Sequence, residues 1–195
     1  MQTLKDSLKR RTLFARSMLQ SPRVVGAVWP TSKWAVRDLL DLTDLAAARR
    51  VVEFGVGTGV YTREILARLS PDAEFLAFEV DTRLAGAVSD ELRDGRLRVL
   101  NESAANAEAY LEGGKVDALV SSLPFTTLPA ALREEILDVS RRILAPGAPL
   151  LVLQYSGAVL PHLRRRFPRV RRRISPLNLP PAFLYACEDP GPEEV

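Results

Sequence analysis

The hydrophobic pattern of the chain alternates between short continuous runs and helical spacing. Val51, Val52 and Phe54 form an apolar run rich in β-branched residues, as a strand buried on both faces requires. Three glycines, Gly55, Gly57 and Gly59, follow at once, and Tyr61–Leu69 then places Ile65, Leu66 and Leu69 at helical spacing. The alternation recurs. Strands are predicted over Glu74–Val80, Leu97–Leu100, Val116–Val120 and Pro149–Tyr155, and helices over Thr82–Leu92, Ala104–Leu111, Pro129–Leu144 and Leu160–Phe167. Arg169–Ile174 and Ala182–Cys187 read as two further strands. The expectation is an α/β fold, a doubly wound seven-stranded sheet that is mostly parallel.

Ahead of this core, Met1–Gln20 reads as a helix without Gly or Pro. Leu4, Leu8, Ala15, Met18 and Leu19 fall near one side, and Lys5, Lys9 and Arg16 on another. Arg11 interrupts the apolar side and Leu13 lies off it. Such a basic amphipathic helix suits a membrane surface, and equally a helix docked on the domain's own core. Pro22 and Pro30 make Ser21–Lys33 a loop, with Thr31 or Ser32 capping a helix over Lys33–Leu42. Val24, Val25, Val28 and Trp29 fit either a lid over the site or a loop packed on the core. The expected organisation is one domain over 1–195, comprising a basic helix (1–20), a lid region (21–42) and a frayed tail (188–195).

Composition narrows the chemistry. One cysteine, Cys187, excludes an internal disulfide and a cysteine-built metal centre; one histidine, His162, argues against a histidine-based metal site or triad. No metal is expected. No run reaches the length of a membrane span and the N-terminus lacks a signal-peptide core, so a cytoplasmic location is expected. The net charge of +3 conceals an uneven distribution. Met1–Arg37 holds eight Lys/Arg against one acid, and Ala158–Ser175 seven Arg and no acid, whereas Asp38–Gly157 is net acidic. Two basic regions point to a polyanionic surface as partner.

The glycine turn is the candidate ligand site. Glycines let the backbone turn sharply and let a ligand approach closely, and a helix start offers unpaired N–H groups. The spacing is not that of the dinucleotide fingerprint, because the third glycine comes one residue early. Glu53, just before Gly55, would oppose a pyrophosphate but suits an ammonium. Glu79 falls at the carboxyl end of the second strand, where a carboxylate accepts two hydrogen bonds from a ribose diol. This order of acid, glycine turn, helix and second acid resembles the S-adenosylmethionine (AdoMet) site of class I methyltransferases, whose sheet ends in an antiparallel strand. The resemblance implies that Glu53, Gly55, Gly57 and Glu79 hold AdoMet. Glu102, in the loop after the third strand, is the candidate acceptor for the adenine amino group, with neighbouring backbone N–H groups, Ser103 among them, reading ring nitrogens.

The fourth strand runs into Ser121-Ser122-Leu123-Pro124-Phe125 at the topological switch point. Amino-methyltransferases resemble one another here, with a polar residue, proline and an aromatic. Ser121 is expected beside the cofactor. The carbonyls of Ser122 and Leu123 are expected to accept hydrogen bonds from an attacking amine, and Phe125 to pack on it. Ser121 or Ser122 stands where Asn or Asp is common.

Over nearly its whole length the chain resembles the soluble bacterial phospholipid N-methyltransferases, which methylate phosphatidylethanolamine stepwise to phosphatidylcholine. The likeness rests on GAVWPTS (Gly26–Ser32), VVEFGVGTGVYT (Val51–Thr62), SSLPF (Ser121–Phe125) and NLPPAFLY (Asn178–Tyr185). More distantly the chain is similar to rRNA adenine dimethyltransferases. The resemblance implies AdoMet as cofactor, phosphatidylethanolamine as substrate, and a first helix lying on anionic phospholipid at the inner membrane face. No nucleic acid and no obligate protein partner are expected. Tyr155, Phe125 or Trp29 would stabilise the ammonium product by cation–π contact. Arg164–Arg173 would hold lipid phosphate or form a solvated face. The rival readings are an RNA or small-amine methyltransferase, a membrane-surface protein that binds AdoMet without methyl transfer, and a nicotinamide enzyme, disfavoured by the glycine spacing and Glu53.

Overall fold

The structure is a computed structural model that describes residues 31–176 and 180–190. The expected N-terminal helix, most of the lid loop, part of NLPPAFLY and the end of the tail lie outside the described residues.

Seven strands form one sheet: β1 (Arg50–Phe54), β2 (Glu74–Phe78), β3 (Leu97–Leu100), β4 (Ala118–Ser121), β5 (Pro149–Gln154), β6 (Arg169–Ser175) and β7 (Ala182–Glu188). Their spatial order is β3-β2-β1-β4-β5-β7-β6. The first five pair in parallel, and β7 runs antiparallel between β5 and β6. The chain reverses its direction across the sheet between β1 and β4, which creates a crevice at their carboxyl ends.

The runs read from the sequence form strands because they are buried on both faces. Along β1, Val51 packs into one core layer while Val52 and Phe54 pack into the other. One layer is closed by α1 (Lys33–Leu40), α2 (Val60–Leu66) and α3 (Thr82–Glu91). The opposite layer is closed by α4 (Ala130–Ile143), α5 (Leu160–Arg164) and the 3₁₀ segment Ala104–Tyr110. Ser32 caps α1 by accepting the Ala35 N–H at 3.1 Å, and Asp81 caps α3.

Two elements differ from expectation. In place of the α-helix expected over Ala104–Leu111 there is a 3₁₀ segment, Ala104–Tyr110, opened by the Ser103 hydroxyl accepting from Ala105 N. The expected helix Leu160–Phe167 is only the short α5, entered through the single 3₁₀ turn Gly157–Val159. Among the described residues no helix is long and apolar enough to cross a membrane.

Candidate active site

The glycine turn after β1 is shaped by contact and by backbone sign. Gly55 adopts φ +85°, and a Cβ there would stand 2.8 Å from Ser122 Oγ and 3.0 Å from a Leu123 methyl. A side chain at this position forces the Ser122 and Leu123 side chains to shift. Gly57 also has positive φ, +54°, but a Cβ on it would meet nothing within 4 Å. Space over Gly57 is therefore left for something other than protein. Gly59, at φ +76°, starts α2 against Val88 and Arg63 and has a packing role.

Glu79 ties the turn to the end of β2. Its carboxylate accepts the Gly57 N–H at 2.9 Å on one oxygen and the Asp81 N–H at 2.9 Å on the other. Each oxygen keeps a second lone pair, so the group is held rigid and still able to accept from a diol. Glu102 accepts from Asn106 Nδ2 at 2.9 Å and from the Ser103 N–H at 3.3 Å. Gly55, Glu79, Glu102, Ser103 and Leu123 line one cleft, walled by Leu128, Leu132 and Ile136. That apolar wall faces two carboxylates across a narrow cleft of about 30 Å³. The wall comes from α4 and the loop before it, and nothing in the local sequence marked it.

Glu53 lies on the other face of the sheet. Its side chain is fully buried, with one oxygen accepting from Thr62 Oγ1 at 2.8 Å and the other without any partner. Desolvation, moderated by the Thr62 bond and reinforced by the charge of Glu79, raises its pKa to about 8. The group is thus largely protonated at neutral pH. Sequence reasoning treated it as a fixed negative charge, and burial corrects that. An orphaned, buried carboxyl oxygen fits an ammonium donor arriving from a ligand. Tyr155 lies on this same face, its hydroxyl 3.0 Å from Thr31 Oγ1.

The loop after β4 accounts for the remaining candidates. Ser122 Oγ donates to the Gly55 carbonyl at 2.6 Å, and the Leu123 carbonyl accepts from Gln154 Nε2 at 2.8 Å. Ser121 is fully buried and accepts weakly, at 3.4 Å, from the Leu123 N–H. Its side chain supports the loop and does not face the cleft. Phe125 also departs from expectation. The Phe125 N–H bonds back to the Leu123 carbonyl, and the ring is buried without exposure in the core layer that α4 closes. It cannot pack on a substrate amine in this arrangement. Gln154, nearly fully buried at the end of β5, was not singled out from the sequence.

Comparison with known proteins agrees with this geometry. Residues 51–147 match the family described as "Methyltransferase domain". The chain is 28% identical over 184 residues to the ornithine lipid N-methyltransferase of Singulisphaera acidiphila, covering 90% of this chain and 94% of that one. It is 31% identical over 98 residues to ribosomal RNA small subunit methyltransferase A of Streptococcus mutans, covering 50% of this chain and 33% of the relative. Among solved structures, the N-methyltransferase NodS from Bradyrhizobium japonicum in complex with S-adenosyl-L-homocysteine superposes with a TM-score of 0.68 at 15% identity, covering 95% of this chain and 98% of that one. The sheet with its antiparallel β7 is the fold shared with this solved structure. The chain is an AdoMet-dependent N-methyltransferase, with a methyltransferase domain matched over residues 51–147 and the class I methyltransferase fold.

Proposed function

We propose that this enzyme methylates the amine of phosphatidylethanolamine, and of its methylated derivatives, at a membrane surface. The observation that carries a nitrogen-directed reading is the Ser122 hydroxyl. Its only hydrogen is committed to the Gly55 carbonyl, so its oxygen presents lone pairs alone to the switch-point crevice. An amine brings N–H donors and finds an acceptor there. A hydroxyl acceptor substrate would need a base beside it, and the loop supplies none.

AdoMet, when bound, supplies a methyl group on a sulfonium that is already a strong methyl donor. The residues of this chain bind and orient. Glu79 and the backbone around Gly57 would hold the ribose end, Glu102 and the Ser103 N–H the adenine edge, and Glu53 the ammonium. Ser122 Oγ and the Ser122 carbonyl would accept from the N–H of the incoming amine, which must arrive unprotonated; the Leu123 carbonyl, expected to share this role, already accepts from Gln154 Nε2 and the Phe125 N–H and holds the loop instead. Positioning of this kind contributes much of the rate in a displacement between two bound groups. Tyr155 would stabilise the ammonium product by cation–π contact; the buried ring of Phe125 would not.

The lipid part of the reading is supported by the nearly full-length likeness to an ornithine lipid N-methyltransferase. That relative's name also favours a second acceptor, the amine of an ornithine lipid. Purified protein incubated with methyl-labelled AdoMet and each lipid separately, followed by mass spectrometry of the extracted lipid, tests both. Label on the ethanolamine nitrogen is expected. Label on the ornithine lipid alone selects the second reading, and label on neither lipid with transfer to ribosomal RNA overturns both.

A further inference from the structure

Only three large hydrophobic side chains are exposed among the described residues, and two of them, Trp34 (60% exposed) and Ile174 (55%), border the carboxyl edge of the sheet. Ile174 is the penultimate residue of β6, in register with Phe183 of β7, which is itself in register with Gln154 of β5. Gln154 in turn bonds the Leu123 carbonyl of the switch-point loop. A continuous row therefore runs from that loop to the outer strand, and Ile174 lies two strand spacings, about 10 Å, from Gln154. Trp34 is brought to the same carboxyl edge by α1, which packs on the sheet face opposite to the Gln154–Phe183–Ile174 row. Ser175 Oγ bonds Asp38 at 2.6 Å, and Trp34 lies one helical turn from Asp38 toward the start of α1. That start is fixed in turn by the Thr31–Tyr155 contact at the end of β5.

Cations surround these two side chains. Lys33 and Arg173 are exposed and have no carboxylate partner among the described residues. The Arg172 guanidinium lies 5.7 Å from the Phe183 ring centroid, and that of Arg37 lies 5.6 Å from Trp34. The nearby acids are engaged: Asp38 by Ser175, and Glu64 by Arg37 and Arg68. Exposed tryptophan and isoleucine interleaved with Lys and Arg match the headgroup layer of an anionic bilayer, where apolar rings and stems enter the interface and the charges meet phosphate.

We propose that this edge, with Trp34 and Ile174 as its apolar anchors and Lys33, Arg172 and Arg173 as its charged rim, is the surface by which the enzyme docks on an anionic phospholipid bilayer. The inference rests on the lipid-substrate reading above and adds to it the docking face. It seats the substrate half of the crevice, over β4, β5 and β7, against the bilayer. A headgroup amine then reaches the Ser122–Leu123 loop without the lipid leaving the membrane.

The test is flotation of the full chain with vesicles of phosphatidylethanolamine and phosphatidylglycerol. A parallel assay measures methylation of a short-chain phosphatidylethanolamine dispersed below its micelle concentration. The variants W34A and I174D are expected to lose vesicle binding by roughly fivefold or more and to methylate the dispersed lipid like wild type. R173Q is expected to weaken binding about fivefold, the ratio that corresponds to about 1 kcal/mol per basic residue near an anionic surface. Variants that float as wild type does would overturn the docking face while leaving the lipid reading intact. A wild-type enzyme that floats but leaves the dispersed lipid unmethylated would overturn the lipid reading instead.

Discussion

Ser122 donates its hydroxyl hydrogen to the Gly55 carbonyl at 2.6 Å, joining the loop after β4 to the turn after β1 across the switch point. In the proposed arrangement this bond joins the cofactor side of the crevice to its acceptor side. Replacing Ser122 by Ala removes the link and the acceptor lone pairs together. The predicted result is a fall in kcat of roughly two- to twelvefold, which corresponds to one lost hydrogen bond of about 0.5–1.5 kcal/mol. AdoMet affinity, read by calorimetry, should change little by comparison.

The two glycines of the turn should respond differently. In Gly55→Ala the new Cβ meets Ser122 Oγ at 2.8 Å on a backbone already at φ +85°. Both thermal stability and activity should fall. In Gly57→Ala the Cβ points into open space, so the fold loses only the left-handed backbone cost of about 1–2 kcal/mol. AdoMet binding should suffer disproportionately, because the methyl occupies the space left for the cofactor. Equal loss of stability and binding in the two variants would contradict this division.

Glu79→Ala should weaken AdoMet about 10- to 100-fold while leaving the cooperative unfolding transition in place, since a hydrogen bond to a charged group contributes about 1.5–3 kcal/mol. The Gly57 and Asp81 N–H groups that lose their acceptor lie at the partly exposed end of the sheet, where water replaces it. Unchanged affinity by calorimetry would remove Glu79 from the ribose.

Glu53 makes two pH effects. Its folded pKa is raised from 4.5 to about 8, so between those values the unfolded chain releases a proton that the folded chain keeps. Its contribution to stability is complete below pH 4.5 and declines as pH rises through about 8. Glu53→Gln should flatten that decline in denaturant titrations. In the wild type, an ammonium placed against the carboxyl favours ionisation, so AdoMet binding at pH 7 should release a proton. Calorimetry in buffers of different ionisation enthalpy measures this release, and Glu53→Gln should abolish it.

Gln154→Leu tests the support of the Leu123 carbonyl. Loss of the 2.8 Å bond frees that carbonyl to turn, and kcat should fall with little change in the KM for AdoMet. A change confined to the KM for AdoMet would place Gln154 on the cofactor side instead.

Much of this was readable from the chain because the parallel strands are continuous apolar runs with no ambiguity of face. Glu79 and the glycines sat at strand ends that the doubly wound order brings together. What stayed hidden depends on distant packing. Phe125 looks like a ligand-facing aromatic in its loop, and only the α4 side chains that close over it make it core. Gln154 is one polar residue ending an apolar strand, and its partner is 31 residues away. Ala104–Tyr110 is rich in alanine, which does not distinguish a 3₁₀ segment from an α-helix by periodicity. The charge state of Glu53 follows from complete burial, which a position before a glycine does not reveal.

The central claim is methyl transfer to a lipid amine. Its most direct measurement is fragment mass spectrometry of phosphatidylethanolamine recovered after incubation with the full chain and methyl-labelled AdoMet. The account predicts label on the ethanolamine nitrogen. Unlabelled phosphatidylethanolamine from an enzyme shown in the same sample to bind AdoMet would contradict it.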